Sequence, residues 1–189
     1  HRRPDPAPAA GCPVSAVARV GAVTLLAAIV VSPAAAQRAA PASERTVRSA
    51  PCTIADVTDG DTVRCDDGRR IRLLGIDTPE LAQRPWGQRA RAALERLAPR
   101  RSTVALEFDR RPRDRYGRLL AYLIAADGTV INERMIADGF ALAYDDRDNR
   151  ARAEAFRRAE RTARSGRAGL WAAGGFDCPP IDFRRDRCR

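Results

Sequence analysis

The chain has 189 residues, and its 34 basic and 24 acidic side chains give a formal net charge of +10. That length suits one domain with appendages, and the single histidine, His1, leaves a folded part that excludes Ser-His-Asp triads, Cys-His pairs, His-rich zinc sites and a His general base. Every basic residue is Arg, for which a codon bias is explanation enough, while the positive field still favours a polyanion through steering and counterion release.

Residues 1–36 read as a secretory signal peptide. Arg2, Arg3 and Arg19 precede an apolar run from Val20 to Val31, Ser32-Pro33 breaks it, and Ala34-Ala35-Ala36 gives a small-x-small cleavage pattern before Gln37. The run is short of the roughly 20 residues that a membrane span needs; an uncleaved anchor is the alternative. Residues 37–50 read as a flexible linker. The expected product is periplasmic or secreted, touching the membrane only transiently through its leader.

Export implies an oxidising compartment. Cys12 falls in the leader, leaving Cys52, Cys65, Cys178 and Cys188, an even set that predicts two disulfides among three possible pairings. A hairpin turning at Asp59-Gly60 would bring Cys52 and Cys65 together. Cys178 and Cys188 bracket a Pro-containing stretch and would pin back a tail over residues 173–189. No Cys-x-x-Cys pair is present, which speaks against a zinc site.

The folded domain is expected over residues 51–172. Strands are predicted from Cys52 to Thr58, Thr62 to Cys65 and around Ile71 and Leu73, joined by turns at Asp59-Gly60 and Asp67-Gly68. Trp86, Ala90, Ala93, Leu94 and Leu97 recur at helical spacing until Pro99. Thr103 to Phe108 and Leu119 to Ala125 predict two more strands. A short helix carries Ile131, Met135 and Ile136, with Asn132 as its cap and Gly139 as its stop. A third helix is expected from about Asp148 to Ser165. Five short strands with about three helices give an α+β, mainly β fold, a five-stranded Greek-key barrel of the OB type that closes and so removes its edges. The Arg-rich face of the third helix reads as a solvated face.

Three blocks bear the chemistry. Asp59-Gly60-Asp61-Thr62 places a second carboxylate at the start of a returning strand, beyond what an Asp-Gly turn requires. Arg72-Leu73-Leu74-Gly75-Ile76-Asp77-Thr78-Pro79-Glu80 sets an Arg in an apolar strand and an Asp directly after it; Thr78-Pro79-Glu80 alone could be a helix start. Asp114-Arg115-Tyr116-Gly117-Arg118 puts an Arg at a strand mouth. Separated carboxylates suit a hard cation such as Ca²⁺ or Mg²⁺, and Arg forks suit a phosphodiester.

In this order the blocks resemble the micrococcal (staphylococcal-type) nuclease family. The resemblance runs from Cys52 to Trp171 and takes in Glu107-Phe108-Asp109, Ala121-Tyr122, Asp127-Gly128, Val130-Ile131-Asn132-Glu133 and Gly169-Leu170-Trp171. It implies a Ca²⁺-dependent nuclease acting on DNA and RNA; single strands are the expected preference, and no protein partner is expected. Asp61 and Asp77 match the calcium carboxylates, and Thr78 matches the residue that lends its backbone carbonyl. Glu80 matches the acid that orients or deprotonates the attacking water, and Arg72 and Arg118 the phosphate-binding arginines. Arg115 and Tyr116 match groups around the nucleotide's terminal phosphate, and Tyr144 a Tyr that stacks on the base. The loop from Glu80 to Trp86 is shorter than in the staphylococcal enzyme and lacks its lysines; the two disulfides are not general to the family. The rival readings are a non-catalytic OB barrel that grips single strands and an exported structural or adaptor protein.

Overall fold

The computed structural model describes residues 51–188; the expected signal peptide and linker lie outside the described residues. The first three strands are β1 (Cys52–Asp59), β2 (Thr62–Cys65) and β3 (Arg70–Leu73), a meander set by apolar alternation and tight turns. β5 (Thr103–Glu107) and β6 (Leu119–Ile124) complete a closed barrel in the order β1-β2-β3-β6-β5. All neighbours are antiparallel except β3 and β6, which run parallel with Leu73 opposite Ala121. Register shifts at Ile54/Asp56 and Val57/Asp59 bend β1, which lets one strand pair with both β2 and β5. The disulfide Cys52–Cys65 ties the open end of the first hairpin and is worth about 2–4 kcal/mol.

Ile54, Ile71, Leu73, Leu106 and Leu123 fill the barrel and are fully buried. The helix α1 (Trp86–Leu97) lays Ala90, Ala93 and Leu94 into this core. Two further helices, α2 (Ile131–Ala137) and α3 (Ala153–Ser165), pack on each other and on the barrel, with the Phe156 ring edge-on to Tyr122 at 5.8 Å. A 3₁₀ turn at Gly169–Ala173 and the one-turn α4 (Pro180–Phe183) follow. The second disulfide, Cys178–Cys188, closes a loop around α4.

Three local differences from the sequence reading have physical causes. Asn132 does not cap α2. Val130 holds that position, and Asn132 turns inward, fully buried, accepting from the Leu123 N–H (2.9 Å) and donating to the carbonyls of Leu74 (2.9 Å) and Ala121 (3.3 Å). The helix expected from Asp148 begins at Ala153. Asp146 and Asn149 capture main-chain groups of Asp148 and Arg111, an alternative to helix bonds that short polar side chains favour. Thr78-Pro79-Glu80 starts no helix, since α1 begins only at Trp86. Two-residue strands β4 (Ile76–Asp77) and β7 (Leu142–Ala143) pair outside the barrel; they are too short to leave a periodic signal.

Candidate functional site

The parallel β3–β6 seam ends where the chemistry begins. Asn132 bridges Leu74 to Ala121 and Leu123 there, so the chain leaves β3 along a fixed path. Gly75 then takes φ +71°, and a Cβ on it would lie 2.8 Å from the Phe156 ring; only Gly fits. β4 follows, held by Ala143 and Leu142 of β7, and the Tyr144 N–H donates to the Gly75 carbonyl at 2.9 Å. Asp77 is thereby fixed through its backbone on one side of a cleft of about 550 Å³.

Asp61 enters from the β1–β2 turn. Its N–H donates to Asp59 Oδ1 (3.0 Å), closing an Asx turn. A Cβ on Gly60 would lie 2.6 Å from Thr78 Oγ1 and 2.9 Å from the Ala90 methyl. Gly at 60 therefore does more than turn the chain: it lets the hairpin tip touch Thr78 and α1. The Thr78 hydroxyl donates to Asp61 Oδ2 at 3.0 Å, joining the first block to the second.

Arg72 lies between the two aspartates. Its Nε is 3.1 Å from Asp61 Oδ1 and its Nη2 is 3.7 Å from Asp77 Oδ1. Nη1 donates to the Leu73 carbonyl (2.7 Å) and Nη2 to the Ile76 carbonyl (2.9 Å). The guanidinium is mostly shielded, because the turn after β3 folds back and its carbonyls accept from both Nη atoms.

Arg118 lines the same cleft. Asp114 organises its loop, accepting on Oδ1 from the N–H groups of Tyr116 (2.8 Å) and Arg118 (3.0 Å) and on Oδ2 from Arg118 Nε (2.7 Å). Burial pushes the Asp114 carboxyl up, but these donors outweigh it and hold it below the usual range. Tyr116 is two-thirds exposed, with the Arg115 guanidinium 4.8 Å and that of Arg118 5.7 Å from its ring centre, distances at which a cation is drawn to a ring face. Tyr144, half exposed, lines the same cleft with Arg115, Tyr116 and Glu80. The structure thus brings Asp61, Arg72, Asp77, Thr78, Glu80, Arg115, Tyr116, Arg118 and Tyr144 to one cavity.

Two participants are given no site role by the sequence: Asp59 reads only as part of a turn, and Arg184 not at all. Asp59 lines the cleft, and burial, then the neighbouring Asp61 charge, push its carboxyl up to about 6. Asp77 is likewise raised by burial, against the pull of Arg184 and Arg72. Arg184, just after α4, reaches Asp77 and Glu80 from the tail. No sequence signal marked it beyond the cysteines that fold its segment back.

The donor set suits a hard cation. Asp61 and Asp77 are buried hard-oxygen donors, and burial raises the Asp59 and Asp77 carboxyls, so a cation that takes their charge would relieve a desolvation cost. Two carboxylates are not a full cage, and among the described residues no group of three or more His, Cys, Asp or Glu side chains forms one. An ion here would complete its shell with carbonyl and water oxygens, as Ca²⁺ commonly does.

Comparison with known proteins gives a consistent result. The family model described as staphylococcal nuclease homologue matches residues 70–173. A probable staphylococcal-like nuclease of Oryza sativa subsp. japonica is 39% identical over 118 residues, covering 62% of this chain and 33% of the relative. The thermonuclease of Staphylococcus hyicus is 33% identical over 124 residues, 61% of this chain and 72% of the relative. That of Staphylococcus intermedius is 37% identical over 109 residues, 53% and 64%. The chain spans about a third of the length of the rice relatives it matches.

Proposed function

The chain belongs to the staphylococcal nuclease homologue family, and on that premise we propose that it is an exported, Ca²⁺-dependent nuclease that hydrolyses phosphodiester bonds of DNA and RNA. The observation that carries this reading is the bridging of Asp61 and Asp77 by Arg72 in a cleft that Arg118 also lines. A carboxylate pair for a metal and two guanidinium groups for a phosphate meet in one place.

Asp61 and Asp77, with the Thr78 carbonyl, would hold Ca²⁺. When bound, the ion supplies Lewis-acid charge beside a phosphoryl oxygen. Arg72 and Arg118 bind the non-bridging oxygens and offset the charge that builds on them as water attacks phosphorus. Glu80 orients that water and takes its proton. The P–O5′ bond breaks, the 5′ oxygen gains a proton, and a 3′-phosphate remains on the other fragment. Arg115 and Tyr116 grip the neighbouring phosphate, and Tyr144 stacks on a base, which favours single strands over stacked duplex.

Export to the periplasm or the medium is supported by the leader-like residues 1–36 and by the disulfides Cys52–Cys65 and Cys178–Cys188, which suit an oxidising compartment. The test is Asp77→Asn against single-stranded DNA. Cleavage is expected to fall at least a hundredfold while strand binding without metal persists. Retained Ca²⁺-dependent cleavage in that variant would remove Asp77 from the metal-binding role.

A further inference from the structure

One of the two carboxylates assigned to the metal, Asp77, already has a cation from the tail. Arg184 Nη1 donates to Asp77 Oδ1 (3.0 Å) and Nη2 to Asp77 Oδ2 (2.8 Å), a two-pronged pairing that engages both oxygens; Nη1 also reaches Glu80 Oε1 at 2.7 Å. Asp77 is buried, whereas the Arg184 side chain is 41% exposed. The cation therefore comes from outside the barrel and can leave without disturbing the core.

The segment that carries it is built to return it. Cys178–Cys188 closes a short loop around α4, with Cα atoms 5.6 Å apart. The loop is docked at its base by Gln83, itself buried, whose Nε2 donates to the Cys178 carbonyl at 3.0 Å. Gln83 Oε1 accepts from the Glu80 N–H at 2.8 Å, so one side chain ties the tail to the acidic loop. Upstream, Phe176 packs on Trp171 at 4.6 Å. A tethered cation presents itself at a high effective concentration.

We propose that Arg184 is an internal counter-cation that occupies Asp77 and Glu80 until a divalent ion displaces it, so that this tail sets the metal affinity of the site. The inference rests on Asp61 and Asp77 being the Ca²⁺ carboxylates. An incoming ion must share or take the Asp77 oxygens and meets like charge while Arg184 stays. Removing Arg184 therefore tightens Ca²⁺ binding. By linkage, Ca²⁺ binding loosens the tail to the same extent. Glu80 is freed in the same event, since one guanidinium holds both acids; metal loading and release of the acid that handles the attacking water are coupled.

The experiment is calorimetric Ca²⁺ titration of the folded protein, without nucleic acid, for the unaltered chain, Arg184→Ala, Arg185→Ala and the paired Cys178→Ser/Cys188→Ser variant. Arg185 is its exposed neighbour, and its substitution removes the same charge. Arg184→Ala is expected to bind Ca²⁺ about tenfold tighter or more, within the roughly 5–150-fold range of coupled sites. Arg185→Ala should stay within about twofold of the unaltered chain. The cysteine pair variant, which keeps Arg184 but relaxes its tether, should fall between. Hydrogen exchange of residues 178–188 should quicken when Ca²⁺ is added to the unaltered chain. Equal affinity in Arg184→Ala and the unaltered chain, weaker affinity in Arg184→Ala, or an equal gain in Arg184→Ala and Arg185→Ala overturns the inference while leaving the metal site standing. If neither the unaltered chain nor Arg184→Ala binds Ca²⁺ at millimolar concentration, the Ca²⁺ reading falls and this inference with it.

Discussion

The floor of the cleft and its rim are built on different principles. On the floor, Asp61, Arg72, Asp77 and Thr78 are shielded from solvent and wired to one another and to main-chain carbonyls of the β3–β4 turn. On the rim, Arg115, Tyr116 and Tyr144 are exposed, and Arg118 is held by its own loop through Asp114. A buried network cannot lose one member without stranding the others. A rim side chain can be removed and leave the fold intact. Chemistry and stability should therefore be inseparable on the floor and separable on the rim.

The largest effect is expected at Arg72→Ala. Cleavage should fall about a thousandfold or more, since a phosphate donor and the brace between two acids vanish together. Stability should fall by about 3 kcal/mol because buried carboxylates lose their partner, seen as a lower midpoint in urea or thermal unfolding. Arg118→Ala should lower kcat by about 10²–10³-fold with an unfolding midpoint close to that of the unaltered protein. Equal destabilisation by these two variants would erase the distinction between floor and rim. Arg118→Lys sharpens it, since a point charge replaces a fork and only part of the rate should return.

Smaller effects lie further out. Tyr144→Ala should raise KM for single-stranded DNA about fivefold to 150-fold, the worth of one stacked base, and leave kcat in place. Asn132→Ala should cost about 2–3 kcal/mol, because the buried Leu123 N–H and Leu74 carbonyl lose their partner. At a temperature where the variant is folded, its kcat should change least of all, since Asn132 bonds to Leu74, Ala121 and Leu123 and to none of Asp61, Arg72, Asp77 or Glu80.

The same division explains what was legible in the sequence. The barrel strands carried β-branched runs bounded by Asp-Gly turns, and α1 carried its Ala90, Ala93, Leu94 stripe; local pattern sufficed there because burial imposes it. The floor residues stood out because Asp61, Arg72 and Asp77 occupy places that turns and apolar strands do not call for. Thr78 was ambiguous, because the same Thr-Pro-Glu string opens helices, and only the contact with Asp61 distinguishes a brace from a cap. Asn132 misled for a related reason: a short polar residue near a helix start usually caps it, and nothing local records that the β3–β6 seam lies underneath. Arg184 was invisible. Its meaning depends on a tail that returns across 107 residues of separation to Asp77, and one Arg among many in a chain without Lys has no pattern of its own. Contacts of that range are made by topology and by the Cys178–Cys188 closure, neither of which is written in the neighbouring residues.

The central claim is that carboxylates and guanidinium groups in this one cleft cut a phosphodiester with the help of a divalent ion. It is tested most directly by incubating the folded protein with single-stranded DNA in Ca²⁺ and following fragment length, then adding a chelator. The account predicts fragments that accumulate with Ca²⁺ and cease to form on chelation. Strands bound tightly yet left at full length in Ca²⁺ would contradict it and make the barrel a binding module.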